Sequence, residues 1–367
     1  MPHTYNQFKA MLAISKASLR AIFRSPSAVV FGFGFPLIFI LVFGFIGGGG
    51  ISVRIGMENL RDTNNYALRA LLANPLIKLV TKDSQSMRED LEKGRIAAII
   101  SVDSAQTPMG YQQYRIRPLT SEASKDKYPI LRSFLAESIQ RVEQYGKSVS
   151  LTPFIIDEQK PITGREYTMI DFILPGMLGF SLLSAGLFGV AFLFFNLRQQ
   201  LVLKRFYATP INRKYIVLGE ALSRVLFQLV TAVVIILIGH FVFRFTLVNG
   251  VQTFLEMIVL SFLGLIVFMG FGFIVSSVSK NEGSIPPFAN LITMPQFLLG
   301  GTFFSTDAFP LWLQKFCEIL PLKQLNDAMR NIAFEGAHLY NCGKQLGILA
   351  LWGILVYAVA IRVFKWE

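Results

Sequence analysis

The chain has 367 residues, 53% of them hydrophobic and only 16% charged, with a mean hydropathy of +0.49. Those values exclude an ordinary water-soluble domain and mark an integral membrane protein. The formal net charge of +12 does not indicate nucleic acid as a partner. The basic residues sit beside apolar runs and in one long mixed-charge segment, without aromatic-interleaved patches, as the retention of Lys and Arg in cytoplasmic loops requires.

Residues 1–27 read as a cytoplasmic arm built on an interfacial amphipathic helix. On a helical wheel Phe8, Met11, Leu12, Ser15, Leu19, Ile22 and Phe23 share one side, flanked by Lys9, Lys16, Arg20 and Arg24. Such a helix lies on the inner leaflet. Phe8, Leu12, Lys16, Leu19, Arg20 and Phe23 are its candidate functional positions, against the alternative of a simple surface anchor. Pro26 breaks the helix before the chain enters the bilayer.

Crossing about 30 Å of hydrocarbon takes roughly 20 helical residues. Six windows qualify: Ala28 to Ile46, Met169 to Phe195, Ile216 to Phe243, Phe254 to Ser279, Ser284 to Phe304 and Gln345 to Phe364. An even number places both termini on one side, and the acid-free arm places that side in the cytoplasm. The expected location is the inner cell membrane, multi-pass. The first window reads as a retained anchor, because a long polar stretch precedes it and Gly47 to Gly50 offers no small-residue cleavage pattern.

Residues 47–168 change to the composition of a soluble domain and fall on the outer side of the membrane. Ile51, Val53, Ile55 and Met57 alternate with polar or small residues, the period of a half-buried strand, and Ile96 to Val102 suits a buried one. Ser84 to Lys93 and Tyr128 to Gly146 read as helices, the second with the stripe Leu131, Leu135, Ile139 and Val142. The expected fold class is therefore an α-helical membrane protein of six transmembrane helices, with an N-terminal interfacial helix and an inserted extracytoplasmic mixed α/β domain.

Residues 169–367 hold the five remaining spans, joined first by a cytoplasmic loop at 196–215. That loop carries Arg198, Lys204, Arg205, Arg213 and Lys214 with no acid, either as a solvated positive-inside connection or as a docking surface. Further on, Pro286, Pro287 and Pro295 with Gly300 and Gly301 predict a kinked fifth span that ends in a turn. Phe309 to Leu320 reads as a short amphipathic helix, with Trp312 suited to the headgroup level and Pro321 allowing a reversal. This is an outer re-entrant hairpin at about 305–322. Irregular backbone at membrane depth is tolerated only against protein or a wet cavity. Pro295, Phe297, Gly300, Gly301, Phe303, Phe304, Pro310, Trp312 and Pro321 are accordingly the pathway or gate candidates.

Charges at the span ends have modest readings: Glu220 and Arg224 pair along one helical face, while Asp171, Arg244 and Glu256 reach headgroups. With no ionisable residue securely at mid-bilayer, a proton- or sodium-driven carrier is disfavoured. His3, His240 and His338 are scattered and accompany no metal-ligand spacing. No G-x-S-x-G elbow occurs. Gly146, Lys147 and Ser148 imitate the end of a phosphate-binding loop, but Arg141 replaces its leading glycine. No catalytic, cofactor-binding or metal site is predicted. Cys317 and Cys342 fall on the outer side, either bridged or as packed thiols.

Two segments carry a family resemblance. LKRFYATPINRKY resembles the inner-loop signature of the membrane subunits of ATP-binding cassette type-2 exporters. The run PPFANLITMPQFLLGGTFFSTDAFPLWLQKFCEILPLKQLNDAMR, from Pro286 to Arg330, is similar to that family's fifth span and outer hairpin. The order of parts also agrees over essentially the whole chain. The resemblance implies that Lys204, Arg205, Phe206, Tyr207, Ala208, Thr209, Pro210 and Arg213 contact a separate ATPase subunit, which would hold the ATP and Mg, and that the arm packs beside them. It implies a second permease copy or a paralogous permease as partner, besides membrane lipid. Where the family usually shows an acid followed by Gly-Thr, this chain has Gln200, Leu201 and Val202, a departure that raises the heterodimer.

The expected function is a non-catalytic permease exporting an amphipathic, lipid-like or drug-like substrate. The alternative is a mechanotransmission protein that relays ATPase movement to an envelope partner without cargo. A membrane-embedded enzyme lacks any clustered acid, base or nucleophile.

Overall fold

The computed structural model describes residues 6–25, 30–46, 53–57, 77–106, 112–124, 127–145, 154–162, 164, 167–199, 211–306 and 309–363. Backbone contacts divide the chain into two units, Met1–Gly47 with Met169–Glu367, and Gly48–Thr168.

The first unit begins with α1 (Gln7–Arg24), whose start is fixed by the Asn6 side chain accepting from the Lys9 backbone N–H at 3.0 Å. A π-helical turn (Val30–Gly34) then leads into α2 (Phe35–Ile46).

Gly48–Thr168 holds a five-stranded sheet: β1 (Val53–Met57), β2 (Ile77–Val80), β3 (Ala98–Gln106), β4 (Gln112–Leu119) and β5 (Phe154–Ile156), in the order β2-β1-β3-β4-β5. All neighbours are parallel except β3 and β4. The helices expected over 84–93 and 128–146 run α3 (Ser84–Glu92) and α4 (Tyr128–Tyr145). Successive strand residues point to opposite faces. Ile100 therefore joins Ile55, Ile116, Leu131 and Leu135 on one face, while Ile99 joins Met87, Leu91 and Ile96 on the other. The half-buried alternation expected of β1 holds only in part, since Gly56 is buried too. A Cβ there would lie 3.0 Å from Met87 Sδ, so the glycine lets α3 close onto the strand and cover both faces.

The Tyr128 phenol of this unit sits in a setting that disfavours its anion. Burial, and then the negative charge of Glu158, push the Tyr128 phenol up to about 12. The raised value favours the neutral phenol. The resulting stability is complete below the unfolded value of about 10 and is lost as pH rises through about 12. Difference absorbance between the whole protein and its Tyr128→Phe variant should show no phenolate from Tyr128 at pH near 10. A signal there would refute the assignment.

The first unit resumes with α5 (Met169–Gln199), α6 (Arg213–Phe243), α7 (Val251–Val278), α8 (Ile285–Leu299), α9 (Leu311–Cys317), α10 (Pro321–Ala333) and α11 (Gly343–Val363). Among the described residues four segments are long and apolar enough to cross a membrane: Met169–Gln199, Lys214–Phe243, Val251–Val278 and Leu339–Val363. The other two windows form shorter helices. Pro286 and Pro287 set the start of α8, and Gly300 ends it after 15 residues. At 1.5 Å per residue that is only about 22 Å. The core surrounds α5, where Ile173, Leu174, Met177, Leu178, Leu182, Leu183 and Leu187 are all fully buried.

Three expectations about polar groups change. Asp171 does not reach headgroups. It is fully buried and accepts from the Thr246 backbone N–H at 2.8 Å, in the turn that follows α6. Glu256 faces His338 at 3.2 Å and Gln252 at 3.4 Å. Glu220 acts on Arg224 through its charge but forms no direct ion pair with it. Its carboxylate accepts from the Ser18 hydroxyl of α1 at 2.6 Å, because the neighbouring helix offers a donor closer than the next turn does. Cys317 and Cys342 are buried free thiols.

Candidate functional site

Three arrangements within the membrane unit stand out: a docked arm, a cavity and a clamped hairpin. The apolar arc of α1 divides its work. Met11 and Ser15 are buried against α6, and a Cβ on Gly219 would lie 2.8 Å from the Met11 carbonyl oxygen, so glycine permits that approach. Phe8, Leu12 and Phe23 remain 60%, 45% and 46% exposed, an apolar row suited to lipid, and Lys16 and Arg20 are exposed beside them. Leu19 is half-buried between the two. Phe23 also meets Phe227 of α6 edge to face, with centroids 5.0 Å apart.

Lys204, Arg205, Phe206, Tyr207, Ala208, Thr209 and Pro210 lie outside the described residues, and Arg213 is the first residue of α6. The loop's flanks are anchored. Arg198 donates to the carbonyls of Ser276 and Ser279 at 3.2 and 3.0 Å, covering free acceptors at the end of α7. Asn212 caps α6 by accepting from the Lys214 N–H at 3.1 Å, and its own N–H donates to Gln7 Oε1 at 2.9 Å. The C-terminal end of the loop and the start of α1 are thus tied together.

Between α2, α5, α6, α7 and the end of α1 lies a cavity of about 750 Å³. Its walls are mostly apolar, with five phenylalanines among them, and its polar residues include Ser181, Ser184, Arg224 and Gln228. Phe35 and Phe180, two of the lining residues, also belong to a chain of rings. Phe35 lies 4.8 Å from Phe39 and 5.9 Å from Phe180, Phe180 lies 4.4 Å from Phe297, and Phe303 lies 5.0 Å from Phe297 and 5.5 Å from Phe39. The gate candidates Phe297 and Phe303 are thereby brought against the cavity wall. Phe304 pairs instead with Phe309 at 5.9 Å and stays half exposed.

The hairpin is larger than the sequence suggested. Pro310 caps α9, on which Trp312 is 72% exposed. Pro321 does not merely reverse the chain: it opens α10, a helix with nine buried residues that was not anticipated, and proline suits that first position. Three polar residues, also unanticipated, hold it. Gln296 accepts from the Leu322 N–H at 3.3 Å, Asn326 donates to the Gly300 carbonyl at 2.9 Å, and Arg330 donates to the Phe172 carbonyl at 3.1 and 2.9 Å and to that of Gly301 at 2.5 Å. The Arg330 guanidinium also stacks over the Phe172 ring, 3.8 Å from its centroid. Gly301 takes φ +65°, which fits its place in the turn after α8. Pro295 sits inside α8, one residue before Gln296, where it removes a backbone donor. The readable signal was a set of polar side chains within an apolar stretch.

Among the described residues no group of three or more His, Cys, Asp or Glu is placed to hold a metal ion. What the arrangement offers is a partly open, mostly apolar volume bordered by a chain of aromatic rings.

Comparison with known proteins agrees with a transport role. Residues 26–362 match the family described as ABC-2 family transporter protein. The chain is similar to the linearmycin resistance permease protein LnrN of Bacillus subtilis, 23% identical over 97% of this chain and 100% of that protein. It is 24% identical to ABC transporter G family member 20 of Dictyostelium discoideum over 64% of this chain, but spans only about a third (32%) of that protein. It is also 24% identical to the probable multidrug ABC transporter permease YbhR of Escherichia coli K12, over 43% of this chain and 41% of that one.

Proposed function

Because the chain belongs to the ABC-2 family of transporter proteins, we propose that it is the transmembrane permease subunit of an ATP-driven exporter of amphipathic, lipid-like or drug-like molecules. The observation that carries the export reading is the cavity of about 750 Å³ walled on the α8 side by interlocked aromatic rings. A volume of that size suits a drug-sized ligand. The relatives named for linearmycin resistance and multidrug transport support the same class of cargo.

In this reading the chain crosses the inner membrane six times, with Val30–Ile46 and α8 as the two short crossings. Both termini and the 196–215 loop face the cytoplasm, and residues 47–168 lie outside. Two permeases, identical or paralogous, recruit ATPase subunits that bind ATP and Mg, while the permease itself performs no chemistry. ATPase closure presses on Lys204 to Pro210 and on α1. That push reaches the cavity through Phe23 and Phe227, since Phe227 lines it. Any shift between an inward and an outward state requires contacts that differ between them, and the rings around Phe297 and Phe303 are placed to supply that difference.

Reversing two charges in the loop tests this. The Lys204→Glu, Arg205→Glu double variant, purified with its ATPase, is expected to retain less than about a tenth of that subunit, a change worth about 1.4 kcal/mol of association. Transport into proteoliposomes should fall with it. Unchanged co-purification and transport would reject the loop's role.

A further inference from the structure

Arg224 and Gln228 of α6 face the cavity one helical turn apart, and neither is fully satisfied. Arg224 has no hydrogen bond or ion pair among the described residues, and its Nε is buried without a partner. Glu220, one turn earlier, acts on Arg224 through its charge but lies outside ion-pair distance and hydrogen-bonds Ser18. Gln228 is only 1% exposed. Its amide nitrogen donates to Ser181 Oγ at 3.1 Å, while its Oε1 is buried without a donor.

The site is built around these groups. The Arg224 guanidinium lies along α5 at Gly189, where a Cβ would stand 3.0 Å from Nη1. Any larger residue on α5 would displace it. Across the cavity the walls are apolar, with Phe180, Phe188, Phe192 and Met269 among them. A guanidinium held at membrane depth is costly unless something pairs with it. Its planar fork matches a carboxylate or phosphate.

We infer that this cavity binds an amphiphile with a single anionic head, a carboxylate or a phosphate. The head pairs with Arg224, the remaining P–OH of a monoanionic phosphate can donate to Gln228 Oε1 where an ionised carboxylate has no proton to give, and the hydrocarbon lies against the phenylalanines. Arg224 is 11 residues from the start of α6, about 16 Å along the helix. Under the topology proposed above, that places the head in the inner half of the bilayer and the tail toward Phe297. The inference deepens the proposed function by naming the charge of the ligand, and the transport direction rests on that reading.

Binding is tested on the purified permease without any ATPase, so that failure of the site and failure of the exporter reading are separable. Oleate, its methyl ester and dioleoyl phosphatidic acid are titrated into protein in neutral detergent, followed by thermal stabilisation. Oleate and the phosphatidic acid should stabilise the wild type, and the ester should require at least about tenfold more ligand. Preference for the phosphatidic acid would identify a bilayer lipid as the natural source, and preference for oleate a free carboxylate amphiphile. Arg224→Gln should weaken both anions at least about tenfold, with Arg224→Lys restoring part of the affinity. Ser184→Leu narrows the same cavity from α5 without touching the arginine, and should weaken them likewise if Arg224→Gln does not fold. Equal binding of ester and acid, or undiminished binding to Arg224→Gln or to Ser184→Leu, would overturn the assignment.

Discussion

Arg330→Ala is expected to release α10 from the rest of the membrane unit. The substitution removes three donations to the carbonyls of Phe172 and Gly301 and the stacking on the Phe172 ring. It also leaves Asp327, 3.6 Å from the guanidinium, with Lys323 as its one ion-pair partner among the described residues. Hydrogen bonds to a charged donor contribute about 1.5–3 kcal/mol each, and breaking a largely buried charged network costs about 3–5 kcal/mol. The Arg330 side chain is only 11% exposed, so solvent replaces little of this. The thermal midpoint in detergent should fall by roughly 10 °C. Arg330→Lys should recover less than half of the loss, because an ammonium cannot bridge the two carbonyls as the fork does. A second readout is the Cys317 thiol in α9, whose pKa burial pushes up, which disfavours the reactive thiolate. In a Cys342→Ser background its reaction with maleimide should accelerate in Arg330→Ala. A midpoint unchanged within about 2 °C would show that the clamp is not structural.

Gly219→Val should uncouple the arm while leaving the spans folded. A Cβ at this position meets the Met11 carbonyl oxygen at 2.8 Å and the Ile14 side chain at 3.2 Å. Backbone cannot give way as a flexible side chain can, so α1 must lift from α6. Overpacking of this kind costs about 1–3 kcal/mol, which shifts the docked equilibrium roughly 5- to 150-fold. Limited proteolysis should cleave near α1 in the variant and spare it in the wild type, and ATP-dependent transport should drop by at least about tenfold. Ser18→Ala removes only the bond to Glu220 and should give a weaker version of the same defect. Full transport with a demonstrably detached α1 would remove the arm from the coupling route.

The membrane character, the arm and most helix positions were legible because apolar periodicity and charge bias are local properties of the chain. Close packing of α7 on α5 depends on a small residue at Gly272, since a Cβ there would stand 2.6 Å from the Leu187 carbonyl oxygen. Two of the six expected spans form shorter helices, and for α8 the reason is that hydropathy continues past Gly300 while hydrogen-bonded helix does not. α10 was missed for a related reason. Lys323, Asp327 and Arg330 form a polar stripe along one side of it and lower its average hydropathy, which resembles that of an outer loop although nine of its residues are buried.

The sequence by itself determined that this is a membrane protein with a basic loop, an amphipathic arm and a proline-bounded hairpin, because each is encoded by residues close together along the chain. Only the tertiary structure decided which polar groups serve which purpose. Glu220 turned to Ser18 across 202 positions, Arg330 to Phe172 across 158, and Gln228 to Ser181 across 47. In an apolar surrounding a polar group takes whatever partner the packing of other helices brings within reach, and that choice is not written in its neighbours.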